Sequence, residues 1–259
     1  MRKLFFAAIV SSLLFVGNAV AQQVQVTIEN LQPAGSGFYL TPVWLGVHDG
    51  SFDLYNLGEA ASISMQNLAE EGITSGIMAD FSSNGVGQQS VITNASGFPM
   101  APVLDPGESG SAVFTLGPDS RFLSYATMII PTNDSFFAND DPTGLELLDA
   151  SGTFTGDRVI EFGIEDLYDA GSELNDTMGA AFSAAGGDDT ETTGFVTEGP
   201  DISNFNGIPT AAGTTINFDE AVTAPVLRIT ISSVAVPEPS STSVLGLATL
   251  GCLLRRRRK

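Results

Sequence analysis

The chain has 259 residues, of which 30 are acidic and only 10 are basic, and its formal net charge is −20. The basic residues cluster at both ends, so residues 22–235 carry three arginines against 29 acidic side chains, a net charge of −26. Because such a surface repels phosphate groups, the composition excludes nucleic acid and anionic membrane surfaces as binding partners. It favours cations or cationic partners.

The composition also predicts one folded domain that is rich in strands. Hydrophobic residues make up 43% of the chain and aromatic residues 8%, which is enough for a packed core. The 28 glycines and 13 prolines are typical of short strands joined by turns. The single cysteine, Cys252, lies in the C-terminal tail, so the body has neither a disulfide nor a thiolate metal site. Any metal ion in the body must therefore be bound by oxygen atoms.

The N-terminus has the pattern of a secretory signal peptide. Two basic residues at positions 2 and 3 precede an apolar run, residues 4–16, and the small residues 19–21 form an A-x-A cleavage site. We expect residues 1–21 to be removed before Gln22. The mature body is therefore expected outside the cytoplasm.

Hydrophobic patterning predicts strands along most of the body. Apolar and polar residues alternate at 24–28, 111–116 and 227–231. Longer apolar runs at residues 38–47, 122–130 and 159–164 suit strands that are covered on both faces. Together these patterns predict an all-β fold, an antiparallel β-sandwich over residues 22–235.

One short helix and long loops complete the predicted body. Residues 63–71 lack Gly and Pro, place Ile63, Leu68 and Ala69 toward one side, and end at Gly72, a typical C′ residue. Residues 186–200 are polar, acidic and rich in glycine, and we expect a long mobile loop there.

The body offers few groups for catalysis. His48 is the only histidine, so a Ser-His pair or a histidine-bound zinc would need that one residue, which we expect to bond to turn backbone instead. No nucleophile elbow or phosphate-binding loop is present. Paired carboxylates for glycoside hydrolysis stay open, because so many acids form pairs by chance. We therefore expect no enzyme.

Two acidic segments could bind a metal ion through oxygen. The first, residues 129–141, is an apolar strand that ends in a Pro turn followed by Asp134, and the second, residues 167–176, contains Asp169 and Glu173. Calcium takes six to eight oxygen ligands in flexible geometry, and a divalent ion relieves the repulsion between clustered acids. Spacing alone favours the alternative, a solvated acidic loop.

Three segments resemble a known family. Residues 128–134 (MIIPTND) together with residues 168–171 (YDAG) resemble the paired signature of the spondin N-terminal domain, and residues 41–53 (TPVWLGVHDGSFD) are similar to the opening of its bacterial members. The likeness spans Val24 to Ile231. It implies an antiparallel β-sandwich related to C2 domains, with a calcium-type site at one end. Animal members are matrix proteins that mediate adhesion.

The resemblance assigns three metal ligands, Asp134, Asp169 and Glu173. Glu173 stands where animal members tend to have Asp, and Thr115 falls where some members have a further acid. We expect backbone carbonyls, water or Asp140 to complete the site. The disulfides of animal spondins are missing, so their adhesion partners do not carry over to this chain.

The C-terminal tail, residues 236–259, resembles the PEP-CTERM sorting signal of bacteria with an outer membrane. Its apolar run at residues 244–254 is shorter than the roughly 20 residues that cross a bilayer, and five basic residues follow it. The resemblance implies secretion, recognition by an exosortase, cleavage near the motif and only transient membrane contact. The sorting motif consists of Val236, Pro237, Glu238 and Pro239.

These observations predict a secreted or surface-attached, non-enzymatic binding module that holds calcium and contacts matrix or cell-surface ligands, either polysaccharide or protein. Two alternatives stay open. One is an extracellular glycan hydrolase with two carboxylates facing each other across a cleft. The other is a purely structural envelope protein whose acidity keeps it soluble.

Overall fold

The computed structural model describes residues 22–93, 102–186 and 189–235, which fall within one compact unit, Gln22–Ala235. The predicted signal peptide and sorting tail lie outside the described residues. Among the residues described, no helix is long and apolar enough to cross a membrane.

Two antiparallel sheets build the body, with strands numbered in chain order. The smaller sheet has four strands, in the spatial order Ser109–Thr115 (β5), Gln23–Asn30 (β1), Leu227–Val234 (β11) and Arg158–Phe162 (β8). The larger sheet has seven strands, in the order Thr197–Glu198 (β10), Tyr168–Asp169 (β9), Ser135–Ala138 (β7), Phe122–Ile130 (β6), Val43–His48 (β3) and Gly87–Ile92 (β4), with Tyr39–Leu40 (β2) also paired to β6. The predicted antiparallel β-sandwich is confirmed.

Helices cover the outer face of the larger sheet. The predicted helix is present as α1, Ile63–Glu71; the Ser62 side chain accepts a hydrogen bond from the Met65 N–H, and Gly72 ends it at φ 67°. The prediction that Ile63 lies on the apolar side of this helix was wrong, because Ile63 is 71% exposed. The buried face consists of Met65, Leu68 and Ala69. Two further helices were not predicted. Helix α2, Ser75–Asn84, lies with α1 in this layer, whereas the single turn α3, Phe218–Ala221, contributes Ala221 to the core between the sheets.

The larger sheet is buried on both faces, which explains its long apolar runs. Alternate residues of β3, beginning with Val43 and Leu45, face the smaller sheet and join the core between the sheets. Trp44 points the other way and packs with Leu68 of α1 and Phe81 of α2 in a second core. Every residue of β3 and β6 is buried, as their apolar sequences predicted.

The same prediction was wrong for residues 159–164. Most of this run lies in β8, which is the edge strand of the smaller sheet, and no helix layer covers that sheet's outer face among the residues described. Val159 is consequently 59% exposed, while Phe162 on the opposite face packs against the core.

Candidate functional site

Strand pairing brings two of the predicted ligands together. Asp134 ends the turn between β6 and β7, and β9 pairs with β7 so that Ser135 lies opposite Asp169. The Ala170 N–H donates to the Asp134 carbonyl oxygen at 3.1 Å, which extends the pairing beyond the strand. The two acids are therefore neighbours at one end of the larger sheet.

The Asp134 carboxylate is completely buried, with a relative exposure of 0%. Its Oδ2 accepts from the Ser172 N–H at 2.9 Å and from the Glu173 N–H at 3.1 Å. Its Oδ1 is also buried and accepts no hydrogen bond from any residue that the structure describes. Burial raises the pKa of Asp134 to about 6, and the charge of Asp169 adds to this rise. A buried oxygen without a partner costs free energy, so this atom is a candidate ligand.

Asp169 is held by the turn that follows it. The Gly171 N–H donates to its Oδ1 at 2.8 Å, and Asn175 Nδ2 donates to its Oδ2. Asn175 Oδ1 is a second buried oxygen that has no hydrogen-bond partner within the described part of the chain. Gly171 has φ 69°, and a Cβ there would lie 2.6 Å from the Phe195 carbonyl oxygen, so the turn requires glycine.

Glu173 lies next to this pair but faces other acids as well. Its side chain is 8% exposed, and its carboxylate accepts no hydrogen bond within the described ranges. Burial raises the pKa of Glu173 to about 8, with further contributions from the charges of Asp189, Glu70, Asp134 and Glu191. Segment 189–194, part of the predicted mobile loop, is held beside it, since Glu173 and Glu191 form a β-bridge.

No cationic side chain compensates these acids within the described residues. All three arginines of the body bind elsewhere. Arg121 forms an ion pair with Glu146 at 3.2 Å, and Arg158 donates to the Glu146 carbonyl oxygen. Arg228 forms ion pairs with Glu29 at 2.9 Å and with Glu161 at 2.6 Å. In the described part of the chain, no set of three or more His, Cys, Asp or Glu side chains is arranged to hold a metal ion. What the structure shows is two adjacent carboxylates, two unpartnered oxygens and Glu173 beside them.

Two residues considered from the sequence lie away from this cluster. Thr115 ends β5 in the smaller sheet, where its N–H donates to Gln88 of β4, the edge strand farthest from β9 and β10. Asp134 precedes β7 and Asp140 follows the other end of this strand. The six residue steps between them span up to about 20 Å in extended backbone. The contribution of Asp140, one of three alternatives beside backbone carbonyls and water, stays a prediction.

His48 has the structural role that was predicted for it. Its Nδ1 accepts from the Gly50 N–H at 3.0 Å, so Nε2 carries the proton and donates to Ser124 Oγ at 2.9 Å. The ring is completely buried, and burial lowers the pKa of His48. A neutral histidine with both nitrogens occupied fixes the turn after β3.

Comparison with known families identifies the chain. The Spondin_N family model matches residues 37–188, more than half of the sequence. The chain belongs to the Spondin_N family. The match contains Asp134, Asp169 and Glu173 but not β1 and β11, so it is shorter than the span predicted from the sequence, Val24 to Ile231. No curated protein matches the chain.

A second match concerns export of this Spondin_N protein. The PEP-CTERM protein-sorting motif matches residues 235–259, the segment that includes the predicted sorting tail. The chain is therefore an exported protein of the cell surface or extracellular space that an exosortase processes during export. The Spondin_N family itself is a family of non-enzymatic modules.

Proposed function

We propose that this protein is a non-enzymatic extracellular binding module that holds a calcium ion through Asp134, Asp169 and Glu173. The observation that carries the proposal is the buried Asp134 Oδ1, which has no hydrogen-bond donor among the described residues and lies beside a second carboxylate. Without a nearby cationic side chain in the described chain, a bound cation is the simplest source of compensating charge.

The chemistry of the available atoms favours calcium among the common metals. Asp134, Asp169 and Asn175 offer only oxygen, and the body contains no cysteine. Calcium accepts carboxylate, amide and carbonyl oxygens in flexible geometry, whereas magnesium demands near-ideal octahedral coordination. When bound, calcium would supply positive charge and fix the β6–β7 turn against residues 169–175. A rigid loop surface at this end of the sandwich would then be available for matrix or cell-surface ligands.

Calcium titration tests the metal site. After treatment with EDTA, calcium should give saturable heat in calorimetry and raise the melting temperature. At a calcium concentration of 100 times Kd, binding stabilises the folded state by about 2.7 kcal/mol. Asp134→Asn and Asp169→Asn should lose both responses. Asp119→Asn, which removes an exposed acid from the β5–β6 turn, is the matched control and should keep them. Absence of any response in the wild-type protein, or equal loss in the control, would show the calcium proposal to be wrong.

Ligand binding is tested separately from calcium. We expect the calcium-loaded protein to bind a cell-surface polysaccharide or protein on arrays, and Asp134→Asn to weaken that binding. A complete lack of array ligands would instead support a purely structural envelope protein.

The hydrolase alternative is not favoured by the geometry of the acids. It needs a cleft with two facing carboxylates, one of them desolvated. The structure has one large cavity among its described residues whose wall includes Tyr125 and Phe162, and the buried acids with raised pKa values, Asp134 and Glu173, do not line it. Incubation with a panel of glycans should accordingly release no sugar.

A further inference from the structure

A large acidic cavity opens at the other end of β7. Its volume is about 770 Å³. Its lining includes residues of β8 in the smaller sheet and of β6, β7, β9 and β10 in the larger sheet, together with the segments that connect these strands. Cavities of about 300–1,000 Å³ are typical of small-molecule sites. The cavity is separate from the proposed calcium site, because none of Asp134, Asp169 and Glu173 lines it.

Aromatic rings build much of its wall. The Tyr125 ring lies 5.3 Å from that of Phe162, between centroids, which joins the two sheets across the cavity. Tyr125 and Tyr168 both line the cavity, and Tyr55, which does not line it, lies 5.3 Å from Tyr168 between ring centroids. The faces of such rings attract cations, and their edges pack against alkyl chains.

Tyr125 brings an unsatisfied polar group to this wall. Its side chain is only 3% exposed, yet its hydroxyl makes no hydrogen bond to any residue that the structure describes. Burial raises the pKa of Tyr125, and the neighbouring Tyr168 and Asp166 raise it further. Tyr125 itself lines the cavity, together with both of these neighbours. A hydroxyl that has no partner in the described chain and belongs to a residue of the cavity wall is suited to contact a ligand.

Carboxylates surround these rings, and no described residue that lines the cavity is Lys or Arg. Two of the carboxylates are positioned by backbone: the Gly163 N–H donates to Asp166 Oδ2 at 2.8 Å, and the Leu57 N–H donates to Asp140 Oδ1 at 3.2 Å. Each of these acids keeps one oxygen that accepts no hydrogen bond from the described chain. The five lining acids are Asp140, Asp141, Glu165, Asp166 and Glu198.

We propose that this cavity binds an organic cation, namely an alkylammonium or guanidinium group. The carboxylates supply opposite charge, the tyrosine rings supply cation–π contact, and the Tyr125 hydroxyl accepts one N–H bond. Apolar lining residues, Ile160 and Leu167, match the alkyl chain that carries such a group. A free polyamine and a lysine side chain of a protein partner offer the same chemistry.

Calorimetry on the purified full-length protein tests this site with three probes. Spermidine represents free polyamines, a capped tetralysine peptide represents protein side chains, and cellobiose is the neutral probe. We expect one saturable site for spermidine or tetralysine, and the tighter of the two identifies the source. We expect no binding of cellobiose.

Variants separate the cavity from the general negative charge of the surface. Asp166→Asn should weaken cation binding about tenfold, and Tyr125→Phe should weaken it several-fold without lowering the melting temperature, because the lost hydroxyl bonds to no described residue. Asp119→Asn changes the net charge equally and should leave binding unchanged. The proposal is overturned if neither cation saturates, if the control weakens binding as much as Asp166→Asn, or if cellobiose binds more tightly than both cations. None of these outcomes depends on calcium.

Discussion

The buried carboxylate of Asp134 predicts that the metal-free protein loses stability as pH rises. Burial raises the pKa of this carboxyl from 3.8 to about 6, so the folded protein holds its proton more tightly than the unfolded chain does. Below about pH 4, both states are protonated and the group has no effect. Above about pH 6, both are ionised, and the folded state has lost about 3 kcal/mol of stability through this group.

Asp134→Asn removes this loss while preserving the shape of the side chain. The amide oxygen can accept from the Ser172 and Glu173 N–H groups, as Asp134 Oδ2 does at 2.9 and 3.1 Å. The amide is neutral at every pH. In EDTA, the variant should therefore become more stable than the wild type as pH rises from about 4 to about 6, by up to about 3 kcal/mol at pH 8.

Urea unfolding followed by the fluorescence of Trp44, the only tryptophan, measures this difference. Titrating groups away from the cluster act alike in both proteins, so the difference between the two stability curves reports on Asp134 and on the acids whose charges interact with it, Asp169 and Glu173. A difference that stays flat from pH 4 to pH 8 would refute the reasoning, as would an equal effect of Asp119→Asn. Calcium at about 1,000 times Kd, which is worth about 4.1 kcal/mol to the wild type alone, should reverse the order at pH 8.

Three further outcomes follow from burial and packing. Glu173→Gln should flatten the fall in stability between about pH 4.5 and pH 8, because the pKa of Glu173 is raised to about 8 and its contribution has the same sign. By urea unfolding, Leu68→Ala should cost about 2–5 kcal/mol, whereas Ile63→Ala should change stability by less than about 0.5 kcal/mol, given their exposures of 0% and 71%. Gly46→Ala should destabilise by about 1–3 kcal/mol and shift the Trp44 emission, because the added Cβ would lie 2.3 Å from that ring.

Local pattern predicted the elements whose environment is uniform along their length. The continuous apolar run of β3 indicated cover on both faces, and α1 ends at Gly72 as its sequence indicated. The same criterion failed at β8, because an apolar sequence cannot show that a strand lies at a sheet edge. Helix α2 was missed because its stability depends on packing Ile77 and Phe81 in the second core.

The candidate metal site was predicted in its residues but not in its surroundings. Turn signals and family resemblance selected Asp134 and Asp169, and the pairing of β7 with β9 makes them neighbours. Asn175 follows the predicted acids closely in sequence, so its position could have suggested a ligand. The contribution of Glu70 and Asp189 to the environment of Glu173 had no sequence signal, because these acids come from distant segments.

By itself, the sequence determined the acidic body, the restriction to oxygen ligands, the strand periodicity and the export signals, because each depends on composition or on neighbours along the chain. The tertiary structure alone decided which acids are desolvated and that Tyr125 and Tyr168 line one acidic cavity. Those properties depend on strand order and on the packing of two sheets. A charge of −26 is the same for any arrangement of the chain, but the burial of Asp134 and the position of Tyr125 in the cavity wall exist only in this one.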